Sequence, residues 1–422
     1  MENTKIKNKF LIFLIFVIFY GIFYLFLKHD VGNDTSISEW LINYQGGFTR
    51  RGLGGEINIF LTKFFAISLR DAILTIQLVI FILYLILLFV YIKDLKLNIF
   101  QIFALFSPLF LLYPIAELEA LGRKELLIFL FFICTLFFCE KKFKPIIVNL
   151  FIFIFFPIVC LIWEQIILFA PFFATVLIIK NKFYSFKDTF IKLFLIFSSS
   201  IITIILIFLL PLTVQGHTEM CNFLQNTFGE RCYMSAELLM ESTIYFDTFF
   251  IHKKVQFFPH YFRYILIFLV GFLPLHWVLA KNKFHNKDNF VTNNFNPIYL
   301  YILLYLPILL LFAFGHDWGR WVHITYSLSI MLYFYLLKNK IITDNFKANF
   351  LSNLFLKKKI VLIFTFFIFA FFWNPKTLIT GDVATNSLYK IIYNSSKKIF
   401  NHGSIRIFQD HPLIKFHKKY IE

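Results

Sequence analysis

Residues 73–96 read ILTIQLVIFILYLILLFVYIKDLK. Up to Ile92 the run is apolar except for Thr75, Gln77 and two tyrosines; Lys93, Asp94 and Lys96 then end it. A helix rises 1.5 Å per residue and the hydrocarbon core is about 30 Å thick, so about 20 such residues make one crossing. The run is continuous rather than alternating, which excludes a membrane β-barrel strand. Comparable runs occupy 10–27, 98–116, 126–139, 146–163, 165–179, 191–213, 263–280, 297–315, 322–338 and 360–373. The sequence therefore predicts an all-α polytopic membrane protein with about eleven transmembrane helices.

Composition agrees with that reading. Of 422 residues 59% are hydrophobic and 15% charged, against about 45–50% and about 25% for a soluble globular chain. Residues 1–373 form one multi-span domain with no break long enough for a separate soluble one, and 374–422 form a short basic tail. Lys5, Lys7 and Lys9 precede the first run, and no small-residue cleavage site follows it. That pattern predicts a retained first span rather than a signal peptide.

A formal charge of +17 would suggest nucleic acid as partner in a soluble chain. In a bilayer protein it follows from basic cytoplasmic loops, so no nucleic acid is expected. The Lys-rich stretches 93–96, 140–144, 180–188, 281–287 and 338–359 fall on one side if the N-terminus is cytoplasmic. The other side, periplasmic in an inner-membrane protein, then receives loops 28–72, 116–125, 214–262 and 316–321. It also receives the tail, unless 360–373 is re-entrant. All eight arginines (50, 51, 70, 123, 231, 263, 320 and 406) map to that outer side. Arginine presents a planar fork that grips phosphate or carboxylate at two points. Arg70 and Arg263 also read as interface anchors.

Three outer segments carry dense polar chemistry. The first, NYQGGFTRRGLGGEINIF (43–60), places Gly46, Gly47, Gly52, Gly54 and Gly55 around Arg50 and Arg51, with Glu56 after them. Glycine-rich backbone amides can cradle an anion, or the segment is a tight turn with two snorkelling arginines. Ile57, Phe60, Leu61, Phe64 and Phe65 then recur at helical spacing, which predicts an amphipathic interfacial helix. The second, AELEALGRKELL (116–127), carries Glu117, Glu119, Arg123, Lys124 and Glu125. It reads either as a mutual salt-bridge belt or as a phosphate grip oriented by a glutamate. The third, GHDWGRWVH (315–323), carries His316, Asp317, Arg320 and His323. Glu164 sits at the outer end of its own span, capping, pairing or acting. The spans hold almost no ionisable residue near their middles, which disfavours a transporter path.

Cys134, Cys139 and Cys160 lie in apolar runs as packing residues. Cys221 and Cys232 share an outer loop and are expected to form a disulfide in an oxidising compartment. No metal-ligand spacing stands out. No cofactor is predicted, and whether a divalent metal assists is open.

The layout resembles the GT-C superfamily of polytopic glycosyltransferases, in the run of spans and in a long first outer loop with acidic residues after the first span. YQGGFTRRGLGGE with DWGRW also resembles bacterial membrane proteins linked to surface-polysaccharide assembly. The resemblance implies sugar transfer from a polyprenyl-phosphate lipid donor to a glycan, lipid or protein acceptor at the outer face of the inner membrane. It implies Asp34 or Asp30 as catalytic base, with Glu56 or Glu39 as substitutes. Arg50, Arg51, Arg123, Lys124, His316 and Arg320 would then hold the phosphate, supported by Glu125, Glu164 and Asp317. A polysaccharide polymerase or ligase, and a lipid-linked oligosaccharide flippase, are the alternatives.

Overall fold

The computed structural model describes residues 4–5, 7–29, 35–140, 143–237, 239, 258–285, 287–343, 359–379, 388, 390–392 and 395. Asp30, Asp34, Arg406 and most of the 374–422 tail lie outside these residues. The described chain is all-α apart from two pairs of two-residue antiparallel strands.

Seven helices are long and apolar enough to cross a bilayer: Lys7–His29, Leu69–Ile92, Pro145–Ile162, Glu164–Asn181, Phe186–Leu209, His260–Lys281 and Pro297–Phe314. Their outward faces show Phe19, Ile146, Phe208 and Leu269 at 71%, 67%, 73% and 59% exposure. Water does not tolerate an apolar surface that continuous, whereas lipid does. The chain is a multi-pass membrane protein. The other four predicted spans take different forms. Glu125–Glu140 and Lys359–Phe371 are helices of 16 and 13 residues. The 98–116 run is broken, and Trp318–Lys338 is a helix buried on every side.

That enclosed helix is the axis of the fold. From Gly319 to Leu336 every residue is buried, so its polar side chains meet protein rather than lipid. Its neighbour is the interrupted run, helical over Ile99–Leu105 and again over Tyr113–Ala116. Unwinding leaves backbone carbonyls that lipid cannot satisfy, so such segments persist only inside protein. The enclosed helix supplies the partners. Tyr326 donates to the Ala104 carbonyl at 2.6 Å, and His323 Nδ1 lies 2.8 Å from the Leu109 carbonyl. Further along, the Tyr333 hydroxyl accepts from Gln101 at 2.8 Å and Asn282 at 3.2 Å.

The two ends of the bundle differ in chemistry. At one end Thr4–Lys5 pairs with Lys96–Leu97, and Lys283–Phe284 pairs with Ile342–Thr343. There Lys338 contacts Glu140 at 3.0 Å and lies over the Tyr91 ring, and Lys180 donates to the Cys139 carbonyl. The seven described arginines lie at the other end, where the three polar segments meet. The helix Leu53–Phe65 lies there too, beginning before the expected stripe. It buries Gly55, Asn58 and Thr62 and leaves Phe60, Phe64 and Phe65 more than half exposed.

Removing a hydroxyl costs most when it strands a buried partner. Tyr326→Phe removes the 2.6 Å partner of the Ala104 carbonyl and leaves it the Ser107 amide at 3.3 Å, so it should destabilise by about 0.5–1.5 kcal/mol. Tyr91 carries a buried hydroxyl without a partner among the described residues, so Tyr91→Phe should be neutral or stabilising. Thermal midpoints in detergent should order the proteins Tyr326→Phe below wild type and Tyr91→Phe at or above it.

Candidate functional site

The short helix Thr35–Leu41 brings Glu39 into the bundle end. Both of its flanks are pinned. The Trp40 indole donates to the Gly122 carbonyl at 2.8 Å, and Asn58 donates to the Trp40 carbonyl at 3.1 Å. Gln77, the one amide in the 73–92 run, reaches up to the Ser36 and Gly122 carbonyls at 2.9 and 2.8 Å. Gly122 has φ +78° and is crowded by Leu25 and Gln77, so a side chain there would be strained twice over. The turn it makes presents Arg123, Lys124 and Glu125 toward Glu39.

Four cations and four carboxylates interlock. Arg123 holds Glu39, and Arg320 holds Glu125 and Asp317 while lying 3.6 Å from Glu39. Arg51 grips Glu164 in two-point fashion, with Nε–Oε2 at 2.9 Å and Nη2–Oε1 at 2.7 Å. Lys124 is fully buried, donates to the Arg51 carbonyl at 3.0 Å and lies over the Trp40 ring. Arg51 itself has φ +66°, a left-handed conformation that costs a non-glycine residue about 1–2 kcal/mol. Its bonds to Glu164 and Lys124 fix that backbone geometry from both sides.

Each group's titration follows from this packing. Burial alone would raise Glu39, but Arg123, then Arg320, Arg51 and Lys124, outweigh it and hold the carboxyl down at about 2. Burial pulls the Lys124 ammonium down to about 7, assisted by Arg51 and opposed by Glu39, Glu164 and Glu125. Burial also lowers His316, against the pull of Asp317. His316 is therefore mainly neutral at pH 7 and acts as a hydrogen-bonding group more than as a cation.

Of the residues singled out in the sequence, Arg51, Arg123, Lys124, Arg320, Glu125, Glu164 and Asp317 converge here. Arg50 and His316 stay partly exposed at the rim. Glu56 instead accepts from the Tyr44 amide at 2.8 Å and the Gln45 side chain at 3.1 Å, bracing the glycine-rich turn. Two of that turn's glycines serve close packing: a Cβ on Gly46 would meet the Gly216 carbonyl at 1.7 Å, and one on Gly55 the Ile42 carbonyl at 2.1 Å. A disulfide joins Cys221 to Cys232 beside His217. It staples the segment whose Glu230 pairs with Arg70.

Glu39, the central residue, was named in the sequence only as a substitute base. Its signal was an acidic side chain next to Trp40, seven residues before Gly46, inside a loop otherwise rich in amides and hydroxyls. Glu39 Oε2, Glu125 Oε2 and Arg320 Nε are buried and have no hydrogen-bond partner among the described residues. They mark where a ligand or water would complete the cluster. A scan of family models, a search of curated proteins and a search of solved structures each found no match to this chain.

Breaking a buried pair leaves an uncompensated charge, at about 3–5 kcal/mol. Arg51→Ala should lower the thermal midpoint sharply, whereas the apolar double variant Arg51→Met with Glu164→Leu should recover most of the loss. Glu39 ionises more easily when folded than at its ordinary value of 4.5. Its contribution is thus present above about pH 4.5 and is lost as pH falls toward 2. Glu39→Gln should flatten the stability–pH curve in that acid window.

Proposed function

We propose that this protein is a GT-C-like glycosyltransferase of a bacterial inner membrane. In this reading the chain crosses eleven times with its N-terminus in the cytoplasm, and the arginine-bearing end faces the periplasm. The helix Leu53–Phe65 lies in the interface with Phe60, Phe64 and Phe65 in the acyl region, which suits an exposed apolar face on a helix whose polar side is buried. One observation carries the functional reading. The first outer loop, the 117–125 turn, Glu164 and the 317–320 turn, far apart in sequence, are brought to one cluster at one end of the bundle. An amphiphilic donor can reach that depth from the bilayer with its head at the interface.

The chemistry requires a carboxylate at the acceptor hydroxyl and stabilisation of the departing phosphate. Glu39 suits the first task, being ionised at neutral pH with one oxygen uncommitted. The acceptor oxygen bonds to the anomeric carbon of the sugar as its proton passes to Glu39. The carbon–oxygen bond to phosphate breaks, and polyprenyl phosphate leaves. Arg50 and His316, partly exposed at the rim of the cluster, are the groups we assign to the lipid phosphate. A polymerase or ligase would use the same cluster. A lipid-linked oligosaccharide transporter is favoured by one feature, the interrupted 99–116 segment, since discontinuous helices build many transport sites. Against it, the carbonyls of Ala104 and Leu109 are already taken by the enclosed helix.

The test is mass spectrometry of surface glycans and lipid-linked intermediates in a deletion strain. Deletion should remove a surface glycan modification and accumulate its lipid-linked donor. Wild type and Tyr91→Phe should restore the glycan. Glu39→Gln, at equal protein level in the membrane, should not. Full restoration by Glu39→Gln, or a deletion that changes neither pool, would refute the reading.

A further inference from the structure

We infer that residues 374–379 form a strap that seals the Arg320 cluster and is latched shut by the Lys390–Glu117 ion pair. The strap leaves the end of the helix Lys359–Phe371 and runs along the first turn of the enclosed helix, the turn that carries Asp317 and Arg320. Its attachments are specific. The Gly319 amide donates to the Thr377 carbonyl at 3.0 Å, and the Ile379 amide donates to the His316 carbonyl at 2.8 Å. The Thr377 amide donates to Glu117 Oε2 at 3.2 Å, and the Tyr264 hydroxyl donates to the Lys376 carbonyl at 3.2 Å. Farther along the chain Lys390 pairs with the other oxygen of the same Glu117. One carboxylate therefore holds the strap by its backbone and the following segment by its charge.

Gly319 is fitted to this strap and to the Tyr113 hydroxyl, which a Cβ would meet at 2.7 Å. A Cβ at that position would lie 1.9 Å from the Lys376 carbonyl oxygen, a backbone atom that no rotamer change can move aside. The glycine in GHDWGRW therefore makes room for the strap, and the sequence motif and the tail are one device. Glu39 Oε2, Glu125 Oε2 and Arg320 Nε, in the cluster whose Arg320 follows Gly319 directly, are buried without partners among the described residues. Unsatisfied polar groups beside a segment that crosses this turn point to a closed state of a site that opens. The strap's role in admitting substrate rests on the transferase reading, whereas its latching does not.

The test uses the full-length protein in nanodiscs and needs no substrate. Thr377 is 1% exposed and Leu378, its neighbour, 46%. Thr377→Cys should react slowly with a membrane-impermeant maleimide, and Leu378→Cys should react fast and set the ceiling. Adding Lys390→Gln, or separately Gly319→Ala, should speed alkylation of Thr377→Cys by about tenfold or more, as expected for loss of a charged hydrogen bond. In the same two variants, without the added cysteine, Arg320 should become open to phenylglyoxal, read by peptide mass spectrometry. Fast alkylation of Thr377→Cys in the otherwise native chain would overturn the latch, as would slow alkylation in both variants. If the strap opens while Arg320 stays unmodified, the strap is not the cover and the inference fails. Glycan transfer abolished by Glu39→Gln with no change in labelling would leave the transferase reading standing and the strap refuted. The converse pattern would do the reverse.

Discussion

Arg320 is the charge on which the architecture turns. It enters at the head of a helix enclosed by protein on all sides, where an unpaired guanidinium would be untenable. It is accommodated because three separate parts of the chain deliver carboxylates to it: Asp317 from its own turn, Glu125 from the 117–125 turn and Glu39 from the first outer loop. Each of those carboxylates is useful only if its own segment is correctly placed. The pins on Glu39, from Trp40 to Gly122 and from Asn58 to the Trp40 carbonyl, are thereby tied to the same charge. Ion pairs of this kind are weak evidence for stability but strong determinants of arrangement, since a misplaced partner leaves a charge stranded.

A second constraint comes from the bilayer. Within hydrocarbon a broken helix must find partners for its freed carbonyls inside the protein. The 98–116 run breaks, and the enclosed helix beside it carries the Tyr and His side chains that answer the break. The two irregularities explain each other. They also explain why hydropathy understates the enclosed helix: a segment that never touches lipid has no need of an apolar surface.

Legibility in the sequence follows the range of the interaction concerned. Helical type, the apolar runs, the division between a lysine end and an arginine end, and the polar segments 43–60, 116–127 and 315–323 were all readable, because each is local. Asp317 and Arg320, three residues apart, were readable as a pair. The partnership of Arg51 with Glu164 was not, because 113 residues separate them. Three of the arginines read as phosphate ligands, Arg51, Arg123 and Arg320, pair with distant carboxylates that local sequence does not reveal. Local sequence shows an arginine's chemistry but not the distant group that will occupy it.

The glycines sharpen the same distinction. Five glycines within ten residues suggested an anion cradle, yet Gly46 and Gly55 are pressed against the backbone of residues 216 and 42. Gly319 is pressed against a tail more than fifty residues away. The sequence by itself determined that this chain lives in a membrane as a helical bundle, since transfer of apolar surface into lipid depends on composition and run length alone. Only the tertiary structure decided which charges meet, that Glu39 stands among them, and that residues 374–379 run along the turn beside them. Those outcomes depend on long-range geometry, which sets whether each buried charge finds its partner.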